Sequence, residues 1–75
     1  MDELLEILSD LHPEIDFETY DTLLDDKILD SFDIVSIIGG VNRVFDVVIP
    51  AEEIIPENFN SAEAIYDLIE RLEDE

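Results

Sequence analysis

Three amphipathic segments within a chain of only 75 residues constrain this protein more than any other sequence feature. In each segment apolar residues recur at spacings of three and four, which places them on one face of an α-helix. The stripes are Leu4, Ile7, Leu8 and Leu11; Ile34, Ile37, Ile38 and Val41, continuing to Phe45; and Ile65, Leu68, Ile69 and Leu72. Three such faces can close on one small core. The sequence therefore predicts a single all-α domain over residues 1–75.

The first two helices have recognisable ends. A residue that precedes proline is disfavoured in the α region, so His12 before Pro13 ends the first helix. Asp30 stands where an N-cap is needed, and Asp33 follows three positions later. Both acids favour the positive end of the second helix. The stretch 45–50 closes that helix.

The last helix is expected to begin after Asn60 as its N-cap. Glu63 would complete a capping box, and Phe59 and Ala64 would form a weak hydrophobic staple. The preceding stretch, 52–57, has room for one short helical turn, which its proline limits.

The connection 13–30 is long for so small a domain. It carries many apolar residues, namely Ile15, Phe17, Tyr20, Leu23, Leu24, Ile28 and Leu29. We therefore expect an ordered loop that is pinned to the core and includes one short helical turn. Loops of this kind often carry function.

The charge excludes several functions. The chain has 3 Lys+Arg and 22 Asp+Glu, a net charge of −19, although 47% of its residues are hydrophobic. Nucleic acids and anionic membranes both require clustered basic residues, so neither is an expected partner. There is no cysteine, the uncharged run 34–42 is too short to span a bilayer, and the acidic start is unlike a signal peptide. A cytoplasmic protein is expected.

The chain shows no recognisable catalytic or metal motif. Serine-hydrolase, zinc-protease and glycine-rich phosphate motifs are all absent from the sequence. A calcium loop starting at Asp21 fails, because Leu23, Asp26 and Phe32 occupy its third, sixth and twelfth positions. His12, the one histidine, is interpreted as an exposed residue favoured by the helix C-terminus. No catalytic residue and no metal ligand are predicted, and the protein is not expected to be an enzyme.

The run Asp30-Ser31-Phe32-Asp33 is open to two interpretations. Ser and Asp are ordinary capping residues, which is sufficient reason for the pattern. Alternatively, Ser31 carries a covalent group, because the free N–H groups and dipole of a helix N-terminus favour a phosphate ester. No base is apparent nearby, so another enzyme would have to modify the serine.

The flanking sequence resembles the acyl carrier protein family. The similarity lies in I-L-D-S-F-D-I-V at 28–35, the following apolar stripe to Phe45, V-I-P at 48–50 and the final capped helix. The resemblance implies a four-helix bundle of three long helices and one short one. It also implies that Ser31 carries 4′-phosphopantetheine, whose thiol holds an acyl or aminoacyl group as a thioester.

Within that family, the sequence is closer to D-alanyl and peptidyl-carrier-like stand-alone proteins. Phe32 follows the serine where fatty-acid carriers usually have leucine. Ser36 and Asn42 stand where those carriers have glutamates, and Arg43 adds a positive charge. The cargo itself is left open.

The resemblance implies three partners: a phosphopantetheinyl transferase, an adenylating enzyme that loads the acyl or aminoacyl group, and an acceptor acyltransferase. Asp30 and Asp33 would meet basic residues of the transferase, and Phe32 and Val35 would supply apolar contacts. A monomer is expected. Two alternatives are an acidic protein that mimics nucleic acid or blocks a basic site, and a divalent-ion buffer.

Two adjacent glycines, Gly39 and Gly40, interrupt the second helix. Each should cost roughly 1 kcal/mol relative to alanine. Either they allow close packing against a neighbouring helix, or they have a role at the site around Ser31. Gly39 shares a face with Ser31 and Val35 at spacing four, and would let the prosthetic arm or a partner approach closely.

Overall fold

The computed structural model describes residues 2–74, and in that range the chain is all-α, without strands. The helices are α1 (Asp2–Leu11), α2 (Ser31–Phe45), α3 (Pro56–Phe59) and α4 (Ala62–Glu73), with one 3-10 turn at Ala51–Glu53. The predicted all-α class, with three long helices and one short one, is confirmed. No helix among these residues combines the length and the apolar character that crossing a membrane requires.

The core forms where the amphipathic faces meet. Helix α1 packs against α2 and α4, and α3 packs against α4. Each predicted stripe has a fully buried centre, formed by Leu4 and Leu8, by Ile37 and Val41, and by Ile65, Leu68 and Ile69. The remaining stripe residues are less buried, and Leu11, Ile38, Phe45 and Leu72 cover the margins of the core. Helical periodicity therefore identified the packing faces correctly.

The structure confirms the predicted ends of the first two helices. The His12 N–H donates to the Leu8 carbonyl, which completes the last turn of α1. Asp30 has an extended backbone, and its Oδ1 accepts the Asp33 N–H at 2.9 Å. Asp33 Oδ2 accepts the Asp30 N–H at 3.3 Å, so the two acids form a reciprocal capping box. Asp46 ends α2 in the left-handed conformation.

The predicted start of α4 was wrong by one residue. Ser61 is the N-cap, and its Oγ accepts the Ala64 N–H at 3.0 Å. Glu63 therefore lies one position too early to close a capping box, and the pairing of Phe59 with Ala64 as a staple is lost. Asn and Ser are comparable caps, so the local sequence did not discriminate between them.

The segment before α4 also differs from the prediction. A single turn was expected over 52–57, with its proline as a limit. Instead there are two short elements, and Pro56 is the first residue of α3. Proline is favoured at that position because its missing N–H would have no helical partner there.

The long loop contains the expected helical turn, at residues 22–27. The turn ends with Lys27 in the left-handed region at φ 61°. The Ile28 N–H donates to the Leu23 carbonyl at 2.9 Å, and the Lys27 N–H donates to the Leu24 carbonyl at 3.0 Å. This pair of bonds is a Schellman motif, which usually ends a longer helix.

Asn60 fastens this loop turn to the rest of the protein. Its Oδ1 accepts the N–H groups of Leu24 at 2.9 Å and Asp25 at 3.2 Å. Its backbone carbonyl accepts the Leu23 N–H at 2.8 Å. Asn60 thus caps the 22–27 turn rather than α4, which explains why Ser61 caps α4. Together with buried Phe17, Leu23 and Leu29, these bonds confirm that the loop is pinned to the core.

Few of the acids are neutralised within the described residues. The ion pairs of residues 2–74 are those of His12 with Glu14 and Asp33, and that of Arg71 with Glu53 at 3.5 Å. With a net charge of −19 on a molecule measuring 32 × 23 × 20 Å, repulsion among carboxylates opposes folding.

We therefore expect salt to raise the melting midpoint. The Debye length falls from about 30 Å at 0.01 M salt to about 8 Å at 0.15 M, which is shorter than every dimension of the molecule. Magnesium should raise the midpoint further than sodium at equal ionic strength, because it bridges neighbouring carboxylates weakly. Thermal melts in matched series measure both effects.

An unchanged midpoint across the sodium series would contradict the expectation. A sharp, saturable response to micromolar calcium would instead favour the divalent-ion buffer.

Candidate functional site

Ser31 is the first residue of α2, and it is exposed. The Asp33 N–H is bonded to the Asp30 side chain, and the Ile34 N–H to the Asp30 carbonyl at 3.0 Å. The N–H groups of Ser31 and Phe32 are then the first-turn donors that precede the helical bonding pattern. These donors and the helix dipole together favour an anionic group at this position.

An apolar, nearly uncharged surface continues from Ser31 along α2. Successive helical residues are rotated by about 100°, so Ser31, Phe32, Val35 and Gly39 fall within about 100° of one another around the axis. We call these four residues the α2 face. Phe32 is 79% exposed and Val35 is 69% exposed. Apolar side chains this exposed, side by side, are typical of contact surfaces.

The α2 face contrasts with the rest of the chain in its charge. Within the fifteen residues of α2, Asp33 is the one acid and Arg43 the one base. The remaining 21 of the 22 acids lie outside this helix. The site is therefore a neutral apolar strip on a protein that is otherwise strongly acidic.

The two glycines of α2 have different surroundings. A Cβ on Gly40 would lie 3.0 Å from Cγ2 of Ile7, because α1 crosses α2 at this point. A Cβ on Gly39 would meet nothing within 4 Å. Neither glycine has a positive φ. Close packing therefore explains Gly40, whereas neither packing nor backbone conformation requires glycine at position 39.

We expect Gly39→Ala to raise the free energy of unfolding by roughly 1 kcal/mol, because an exposed helical alanine adds favourable helix propensity without a clash. That corresponds to a rise in the melting midpoint of about 4–8 °C. Gly40→Ala is the matched control, with the same propensity gain and a Cβ pressed against Ile7. It should be stabilised less than Gly39→Ala, or destabilised. Equal shifts of the melting midpoint in the two variants would contradict this expectation, because they would show that the Ile7 side chain moves aside without destabilising the protein.

His12 lies at the end of α1, as predicted, but its side chain contacts two acids. Its Nε2 lies 2.8 Å from Oδ2 of Asp33, and its Nδ1 lies 3.3 Å from Oε1 of Glu14. The imidazole is only 25% exposed and the Asp33 side chain only 16%. The expected exposure of His12 was therefore wrong, whereas its place at the end of the first helix was correct. No local sequence pattern indicates this contact, because 21 positions separate the two residues.

The hydrogen bond that the ring donates to Asp33 raises the pKa of His12 above the usual value of 6.5, with burial opposing the shift and Glu14 adding to it. The protonated imidazole is thus favoured beside the start of α2. Asp33 Oδ2 accepts from this ring and from the Asp30 N–H, so the carboxylate is engaged on both sides.

The structure places the predicted site residues at or near the start of α2, and they differ in exposure. Asp30 and the α2 face are exposed, whereas Asp33 is turned toward His12. Two residues of the region were missed, His12 at the site and Asn60 beneath the loop that leads to it. Among residues 2–74 no cluster of three His, Cys, Asp or Glu side chains could hold a metal ion.

Comparisons with protein-family models, with curated protein sequences and with solved structures gave no match to this chain.

Proposed function

We propose that this protein is an acyl carrier protein, with 4′-phosphopantetheine attached to the hydroxyl of Ser31. The observation that carries the proposal is the position of Ser31, exposed at the first residue of α2 and flanked by a capping box of two acids. The sequence resemblance and the helix order, three long and one short, support the finer assignment to a carrier-type four-helix bundle.

The residues at Ser31 fit the prosthetic group. The hydroxyl is exposed, and the first-turn N–H groups favour a phosphodiester there. The α2 face offers an apolar, uncharged surface beside the attachment point, and Gly39 leaves that surface low. When bound, the group supplies a thiol that carries an acyl or aminoacyl cargo as a thioester.

The protein would act by presenting this site to a series of enzymes. A phosphopantetheinyl transferase would first modify Ser31, an adenylating enzyme would then load the cargo, and an acceptor acyltransferase would remove it. Each partner must bind and release, so the interfaces should be small. Phe32 and Val35 supply the apolar contact, and exposed Asp30 supplies a charge for basic residues. The surrounding acids would mainly accelerate association.

The charge of α2 favours a loading partner of the adenylating type. Ser36 and Asn42 stand where fatty-acid carriers have glutamates, and Asp33, the one acid in this helix, is engaged by His12. A partner that recognises a row of acids along α2 would find little to bind.

A second candidate function rests on the net charge of −19. A small acidic protein could occupy the basic site of another protein without any prosthetic group. This function would require neither the exposed serine nor the apolar α2 face.

One experiment separates the two functions. The protein is incubated with coenzyme A and a phosphopantetheinyl transferase of broad specificity, and its mass is then measured. The carrier function predicts the gain of a single phosphopantetheine. No gain with several active transferases would count against the carrier and favour the acidic interaction protein.

A further inference from the structure

His12 is placed to respond to pH at the start of α2. It follows α1 directly, and its side chain bridges to the first turn of α2 through Asp33. The same Asp33 Oδ2 accepts the Asp30 N–H at 3.3 Å. One carboxylate therefore joins the end of α1, the histidine and the cap that precedes Ser31.

Both ring nitrogens of His12 face carboxylates. Nε2 lies 2.8 Å from Asp33 and Nδ1 lies 3.3 Å from Glu14. These are the charged groups that face the ring, Asp33 from α2 and Glu14 from the loop, among the residues described. A neutral imidazole has one N–H and one lone pair, so it can donate to only one of the two acids. Only the imidazolium satisfies both contacts.

We propose that His12 is a pH-dependent latch: its protonated ring holds and masks the Asp33 carboxylate beside Ser31, and loss of the proton releases it. Charge-assisted hydrogen bonds are roughly twice as strong as neutral ones, so deprotonation weakens the bond to Asp33 even when Nε2 keeps its hydrogen. The released carboxylate restores a second negative charge next to Asp30. A cationic partner then meets two acids at the site instead of one.

The latch also makes a contribution to stability with a definite sign. Because the pKa of His12 is raised in the folded protein, its contribution is fully present below about 6.5, the unfolded value. The contribution is lost as the pH rises through the raised value. The stability difference between the wild type and His12→Gln should therefore be constant below about pH 6.5 and shrink as the pH rises through the raised pKa of His12.

Nuclear magnetic resonance titration of the imidazole tests the latch without any partner. We expect a His12 pKa above 6.5 in the wild type and a clear decrease in Asp33→Asn. Glu14→Gln is the matched control and should lower the value less, because its contact is longer and Glu14 is 65% exposed. The amides of Asp30 and Ser31 should titrate with the same midpoint, and this response should vanish in His12→Gln. A wild-type His12 pKa at or below 6.5 would overturn the proposal. So would amide resonances of Asp30 and Ser31 that do not change as His12 titrates.

The consequence for partners rests on the proposed function and has its own measurement. The rate of Ser31 modification by a phosphopantetheinyl transferase is compared between wild type and His12→Gln across the same pH range. Below the midpoint of the His12 titration, the wild type should be modified about two- to fivefold more slowly than His12→Gln. Above that midpoint the two rates should be equal. A constant ratio would overturn the masking role. If neither protein is modified at any pH, the carrier function is contradicted. The titration midpoints of His12 and of the two amides still test the latch in that case.

Discussion

Ser31→Ala is expected to abolish phosphopantetheine attachment completely. The hydroxyl is the nucleophile that the transferase would use, and alanine at the first helical position leaves the surrounding fold intact, because Asp30 and Asp33 make the cap. Mass spectrometry after incubation with coenzyme A and a transferase gives the result directly. Circular dichroism of the variant verifies that α2 is unchanged.

Two other serines provide matched controls for this variant. Ser36 lies one turn further along α2 and is partly buried, and Ser9 lies exposed on α1. Neither stands at a helix start, so Ser36→Ala and Ser9→Ala should be modified like the wild type. Attachment that persists in Ser31→Ala would place the group elsewhere and remove the basis of the carrier assignment.

Asn60→Ala is expected to lower the free energy of unfolding by about 2 kcal/mol, the range for leaving backbone donors without a partner. Its Oδ1 accepts two N–H groups, and that of Leu24 is partly buried, so water replaces the lost bond incompletely. The melting midpoint should fall by about 10 °C, at about 4–8 °C per kcal/mol for a domain of this size. Thermal or urea unfolding measures the change.

Asn58→Ala is the matched control for Asn60→Ala. The Asn58 amide nitrogen donates to the Glu53 carbonyl at 2.8 Å and to Glu53 Oε1 at 3.1 Å, so it supplies a donor rather than an acceptor. Its loss leaves acceptors that water satisfies more readily, and the effect should be about half as large. Asn60→Ala that costs no more than Asn58→Ala would show that the loop turn does not depend on its cap.

Features encoded within one or two helical turns were predictable from the sequence. The three apolar stripes, the end of α1 at His12-Pro13 and the capping box of Asp30 with Asp33 all depend on residues less than five positions apart. The position of Ser31 at a helix start follows from the same local signals. These interactions are intrinsic to a short stretch of chain, so the tertiary structure had little scope to change them.

The incorrect predictions concern side chains whose partners are distant in sequence. Asn60 was assigned to α4 because a local cap was available, but two N–H groups some 35 positions earlier compete for its oxygen. His12 was assigned to solvent because the C-terminus of a helix favours an exposed histidine, but its ring lies 2.8 Å from Asp33. In both cases the residue type suits the position that was predicted for it. A contact that forms only in the folded protein determines where the side chain lies.

The dependence of the loop on Asn60 has a consequence for the order of folding. The N–H groups of residues 23–25 leave the ribosome long before Asn60, whose backbone carbonyl and side chain accept them, and closing a long loop is entropically unfavourable until other contacts hold its ends. Contacts between distant residues usually form late. We therefore expect the segment leading to Ser31 to become ordered only after residue 60 has been synthesised and docked. An enzyme that recognises the loop together with α2 would then modify chains in which residue 60 has docked, and would not modify shorter nascent chains.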